Sequence, residues 1–139
     1  MVRDYATEYA QAVVSGVKEK ACKAEVLACQ RHLNDLKHLN YQGLEWRPDI
    51  AARHVEFAEK LRIYDKNAKE WRDLKLRGFQ KFIICNIFGW YKNGVRRFSE
   101  AYIQVARKNG KSFLNGFFCV DFSSLSAVRN GSIFCTGTK

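Results

Sequence analysis

The stretch "VARKNGKS" at residues 105–112 decides how this chain is read. It carries the Gly-Lys-Ser of a phosphate-binding loop: a glycine that lets the backbone approach an anion closely, a lysine for the β and γ oxygens, and a hydroxyl for magnesium as a helix begins. The usual pattern, G-x-x-x-x-G-K-S/T, places its first glycine at position 105. Here that position is Val105. A bare Gly-Lys-Ser recurs by chance, so the reading depends on its flanks.

Upstream, "AYIQVA" at 101–106 has the apolar content of a buried strand, which would deliver the chain to the loop. Downstream, Ser112 to about Val128 reads as a helix, weakened by Asn115, Gly116 and two serines. Its positive dipole end would face the anion. "SIFCT" at 132–136 reads as a second short strand after an Asn130-Gly131 turn. Strand, loop, helix and strand in this order predict a phosphate-loop domain.

The rest of the chain is mostly helical. Tyr5, Tyr9, Val13 and Val17 recur at spacing four, with Gly16 placed to split the segment. Cys22, Val26, Cys29, Leu33 and Leu36 form a second stripe. "NYQGLEW" at 40–46 reads as a loop. Pro48 opens another helix carrying Ile50, Val55, Ala58 and Leu61, ending near Tyr64. Residues 65–77 are polar and read as a connector. "GFQKFIICNIFGW" at 78–90 reads as a buried helix, and Lys92-Asn93-Gly94 as a turn.

A chain of 139 residues with 27% charged side chains fits one modest soluble domain. No apolar run is long enough to cross a bilayer, and Arg3-Asp4 open the chain with no apolar signal region behind them. A cytoplasmic location is expected. Five cysteines, with no C-x-x-C pair, argue against a disulfide framework and a zinc ribbon. Cys29 and His32 are three apart, but no second ligand pair accompanies them, so the cysteines are read as buried thiols.

The charge is uneven. Residues 1–70 hold 12 Lys/Arg and 11 Asp/Glu, a net of +1, whereas residues 71–139 hold 12 and 3, a net of +9. The basic half is the half with the loop, which suits phosphate on a nucleotide or a nucleic acid.

Gly89-Trp90, Arg96-Arg97-Phe98 and "AYIQVARKNGKS", in that order, resemble the large terminase subunit of tailed phages. That family often drops the first loop glycine and keeps an arginine before the Gly-Lys, as Val105 and Arg107 do here. "CQRHLNDL" at 29–36, "LRGFQKFIICNIFGW" at 76–90 and "GSIFCTGTK" at 131–139 are similar to its N-terminal helical region, its glutamine-bearing segment and the strand after its loop helix. The resemblance implies an α/β fold. A helical region over 1–64 precedes an incomplete P-loop ATPase domain over 65–139. That domain comprises a Q-motif-like helix, a deviant Walker A loop and the next strand.

It also implies a nucleotide site built from Gln80, Arg107, Asn109, Gly110, Lys111 and Ser112, with ATP and Mg²⁺ as cofactors. Gln80 would meet the adenine edge, although Gly78-Phe79 stands where the family usually has Pro-Trp or a similar pair. Arg107 would be the cis arginine on the γ-phosphate, since a planar bidentate cation suits phosphoryl oxygens. Ser112 would ligate Mg²⁺. Lys108 reads as basic surface. Arg96 and Arg97 either pack near the site or meet acidic neighbours. The implied partners are double-stranded phage DNA, the small terminase subunit and the portal, in the cytoplasm of a bacterial host and with no membrane.

The family places adjacent carboxylates after an apolar strand downstream of the loop, one for the magnesium shell and one for the attacking water. After Lys111 this chain has only Asp121, followed by Phe122-Ser123. The expectation is therefore an N-terminal fragment lacking Walker B and nuclease parts, which binds ATP without turning it over. Two other readings stay open. One is a non-enzymatic basic DNA-binding or adaptor protein, which would bind duplex with a salt slope and no nucleotide effect. The other is an unrelated P-loop kinase or GTPase, distinguished by its base selectivity.

Overall fold

The computed structural model describes residues 2–17, 21–39, 41, 43–65, 68–125 and 131–134. It falls into two compact units, Met1–Ala101 and Tyr102–Lys139.

The first unit begins with α1 (Tyr5–Val14), capped by Asp4, whose side chain accepts from Thr7 N at 3.0 Å. The helix stops at Gly16, which adopts φ +75°, a left-handed conformation that glycine takes without strain. The split expected at Gly16 is therefore present. Val17 falls outside the helix and is exposed. Next come α2 (Lys23–Lys37), β1 (Leu44–Trp46) and α3 (Pro48–Lys60), the last with its proline in the first turn. The loop expected over 40–46 thus ends in a strand.

The sequence predicts that the Pro48 helix runs to about Tyr64 and that a connector follows. Instead the chain turns extended at Leu61. It forms a hairpin of β2 (Arg62–Asp65) and β3 (Glu70–Asp73), paired antiparallel with Tyr64 opposite Trp71. Charged, exposed strands of this kind leave no apolar alternation to read.

Helix α4 (Gly78–Gly89) is the centre of the unit, and both α1 and α3 pack on it. A helix apolar on most sides has to be buried, and Phe82, Ile84, Cys85 and Phe88 are. Two glycines make the packing possible. A Cβ on Gly89 would lie 2.6 Å from the Trp46 ring, and one on Gly78 would lie 2.7 Å from the Tyr9 ring. After α4, β4 (Trp90–Lys92) and β5 (Val95–Arg96) form a hairpin. Its turn residues Asn93 and Gly94 are both left-handed, the geometry a two-residue hairpin turn prefers. β1 joins the other side of β4, with Trp46 opposite Trp90, for the order β1-β4-β5.

Polar groups tie these elements together. Trp90 donates its indole N–H to His32 Nδ1 at 3.1 Å, so Nε2 carries the imidazole proton and donates to Thr7 Oγ1 at 3.1 Å. The Thr7 hydroxyl donates to Asp4 Oδ2 at 2.7 Å, and Trp46 Nε1 donates to the same oxygen at 2.8 Å. His32 is fully buried in this chain. Burial pulls its pKa down to about 4, although the Asp4 carboxylate pulls the other way. Cys29 and Cys85 are buried, as the reading of the cysteines expects, but Cys22 is exposed and Cys119 half-buried; no group of metal-ligating side chains occurs among the described residues.

The second unit contains α5 (Lys111–Ser123), which buries Leu114, Phe117 and Asp121 on one stripe. The strand expected at 101–106 does not form. Side-chain burial alternates there, with Ile103 and Val105 half-buried between exposed neighbours. A strand also needs a ladder partner, and among the described residues no segment pairs with this one. Residues 132–134 of the second expected strand are exposed, and they pair with no segment among the described residues. Its end, most of the Asn130-Gly131 turn and the end of the helix expected to reach 128 lie outside the described residues. The composition is nonetheless a mixture of helices and small sheets.

Candidate phosphate-binding loop

Arg107 and Lys108 make a turn, and Lys108 adopts φ +65°. Gly110 then takes φ +74° and ψ +21° as the N-cap of α5, and its carbonyl accepts from Leu114 N at 3.0 Å. Two left-handed residues so close together curl the backbone directly into the helix start. Such concavities present successive N–H groups to an anion. Gly110, as the N-cap, offers this helix end no side-chain cap. The first-turn N–H groups of α5 sit there with the positive end of the dipole, worth roughly half an elementary charge.

The side chains add to that field. Arg107, Lys108, Lys111 and Ser112 are all exposed, with Asn109 and Gly110 half-buried. No acidic residue lies between Glu100 and Asp121 in the sequence. Lys111 and Ser112 occupy the first two positions of α5. The loop thus gathers three cations, a hydroxyl and the N–H groups of a helix start within six residues, a donor set matched to phosphate oxygens.

Gln80 is placed differently. It lies in the first unit, buried in the first turn of α4, where Oε1 accepts from Arg77 N at 2.9 Å. Its side chain thereby caps that helix. A cavity of about 360 Å³ opens near this helix start, lined in part by Arg3, Tyr5, Glu8 and Lys81. Both of its cations are already engaged, Arg3 with Glu8 and Lys81 with Glu59, each at 2.8 Å.

The two arginines after β4 also separate. Arg97 meets an acidic neighbour: Nη1 lies 2.6 Å from Asp35 Oδ2, with both side chains about four-fifths buried. The guanidinium lies over the rings of Trp90 and Phe98. Arg96 lies over Phe88 at 5.9 Å. Asp121, the one carboxylate after Lys111, is fully buried within α5. The sequence reading missed the importance of His32. The only signal for it was a histidine on an otherwise apolar stripe of α2.

No described helix is long and apolar enough to cross a membrane. No curated protein matches the chain, and no solved structure does. A family model does match, over residues 78–139, a span that runs from the first residue of α4 through the loop and α5. The glutamine-bearing helix and the Gly-Lys-Ser loop both lie inside it, and this part of the chain belongs to the family of the terminase large subunit, ATPase domain.

Proposed function

We propose that Arg107–Ser112 binds the phosphates of ATP together with Mg²⁺, in a protein of the type that drives viral DNA into proheads. The observation that carries this reading is the helix start at Gly110. Its N-cap glycine offers no side-chain cap, and it is preceded by a left-handed curl and surrounded by exposed cations.

The residues present fit the ligand. The first-turn N–H groups of α5 and Lys111 Nζ would take phosphate oxygens, with Asn109 and Gly110 shaping the cradle. Ser112 would offer its hydroxyl to Mg²⁺, which when bound neutralises phosphate charge. Arg107 would be the second cation on the terminal phosphate. Residues 1–64 would serve as the helical N-terminal region and 65–139 as the ATP-binding part. Double-stranded DNA, a small terminase subunit and a portal would be the partners, in the cytoplasm of a bacterial host. The +9 balance of residues 71–139 suits the DNA.

Positioning phosphate is not hydrolysing it. Asp121, the one acidic residue after Lys111, is buried in the loop helix rather than at a strand end, so it is not placed to orient an attacking water. Purified 1–139 should therefore release no phosphate in steady state.

The test is a titration of labelled ATP with Mg²⁺ against wild type, Lys111→Ala and Ser112→Ala. Lys111→Ala should abolish binding, and Ser112→Ala should weaken mainly the magnesium-dependent part. Equal affinity of wild type and Lys111→Ala would overturn the assignment. Duplex binding with a steep salt slope and no response to nucleotide would favour a DNA-binding adaptor.

A further inference from the structure

The hairpin β2–β3 differs from every other paired strand in the first unit. All of β3 is exposed, and so are Arg62, Ile63 and Tyr64 of β2. Trp71 shows 59% of its surface to solvent, with Tyr64 against it at 5.5 Å between ring centroids. A two-stranded ribbon is marginal alone in water, and an open strand edge is a template for pairing.

The backbone says which groups face that edge. Leu74 N donates to Leu61 O, so in this register 61/74, 63/72 and 65/70 are the hydrogen-bonded pairs. The N–H and C=O of Trp71 therefore point away from β2, to the open side of β3. Arg62 Nη2 reaches over to the Trp71 carbonyl at 3.0 Å, while the Trp71 N–H stays directed outward.

Along this edge the order Glu70-Trp71-Arg72 is self-complementary. Hydrogen-bonded and non-bonded pairs alternate, so a two-fold axis between antiparallel copies must pass through a residue facing itself. With the axis at Trp71, the two tryptophans form a hydrogen-bonded pair. On the other face, Glu70 of each copy meets Arg72 of the other in the closely spaced non-bonded pairs, where opposite charges interact best. The same two residues already attract each other along the strand, at 2.8 Å. Moving the axis by one residue sets Arg72 against Arg72, or Glu70 against Glu70. On β2, an axis at Ile63 sets Arg62 against Tyr64 and pairs no charges.

We propose that β3 is a self-association edge, through which two copies of this chain pair antiparallel about Trp71 into a four-stranded sheet. The contact is short and each copy carries a net charge of +10. Association is therefore weak, rises with concentration and is helped by salt that screens the repulsion. The proposal does not depend on the nucleotide reading.

Sedimentation of the whole chain at physiological ionic strength tests it. The weight-average mass of wild type should climb from monomer toward dimer with concentration. Glu70→Arg alone and Arg72→Glu alone each place like charges across the edge and should lower the association constant at least tenfold. Circular dichroism would check that both variants fold. Mixed one to one, the two variants should recover association, because both cross-edge contacts then join opposite charges. A monomeric wild type, variants that associate as wild type does, or a mixture that fails to recover would each overturn the proposal. Duplex DNA that binds in a Trp71-dependent way and dissolves the dimer would assign the ribbon to nucleic acid instead.

Discussion

Around His32 and along residues 107–112 the chain holds two polar clusters with opposite fates. In the first, the indoles of Trp46 and Trp90, the Thr7 hydroxyl and the imidazole all donate inward, and the Asp4 carboxylate ends the chain of bonds. Four elements of the unit meet there, so those polar groups are committed to the fold. In the second, exposed cations surround a helix start whose N-cap glycine offers no side-chain cap. Polar groups that the fold does not use are the ones available to a ligand. Substitutions in the first cluster should therefore cost stability, and those in the second should cost binding.

The largest break should come at Trp90. Its side chain is fully buried and holds the His32 tautomer through its N–H. Trp90→Ala leaves a cavity and an imidazole acceptor without its donor, and should cost about 3–5 kcal/mol. Urea denaturation would measure it, and a loss below about 1 kcal/mol would mean that the cluster does not organise the unit.

Arg97→Ala comes next. It leaves Asp35 mostly buried without its cation, at a cost of about 2–4 kcal/mol, somewhat discounted because both side chains keep a fifth of their exposure. Restoring a positive charge by Arg97→Lys should recover only part, because lysine lacks the planar group that lies over Trp90 and Phe98.

Acid provides a gentler probe of the first cluster. The folded pKa of His32 lies near 4, below the ordinary 6.5, so the unfolded chain takes up the proton first as pH falls. The stabilisation is complete above about pH 6.5 and is lost progressively toward pH 4. Between pH 7 and pH 5 the loss should be about 2 kcal/mol, before carboxylates titrate appreciably. Asp4, Asp35 and Arg31 share the local field. Urea midpoints at the two pH values measure the loss, and a His32→Gln variant should flatten the profile. An unchanged wild-type midpoint would mean that the imidazole is not held neutral.

How much of this could be read beforehand follows from the physics of each part. The helices were legible because burial imposes a period on Tyr5, Tyr9 and Val13 and saturates residues 78–90 with apolar side chains. The hairpin at 62–73 was not, since exposed strands carry no such pattern. Residues 101–106 do show strand-like alternation, but a strand is a property of two segments, and no described segment pairs with this one. The loop was legible as chemistry through Gly110, Lys111 and Ser112. The His32 network was hidden, because residues 4, 7, 32, 46 and 90 are brought together only by the fold. Gln80 shows a further limit: its place as a helix cap depends on Arg77, which no motif records.

The contrast between the clusters is tested most directly on one variant by two readings. Lys111→Ala should leave the urea midpoint within about 0.5 kcal/mol of wild type, as expected for an exposed side chain. The same sample should show no saturable binding of labelled ATP with Mg²⁺ at concentrations that saturate wild type. Undiminished binding with unchanged stability would contradict the account, because the cation at this helix start would then have no part in holding phosphate.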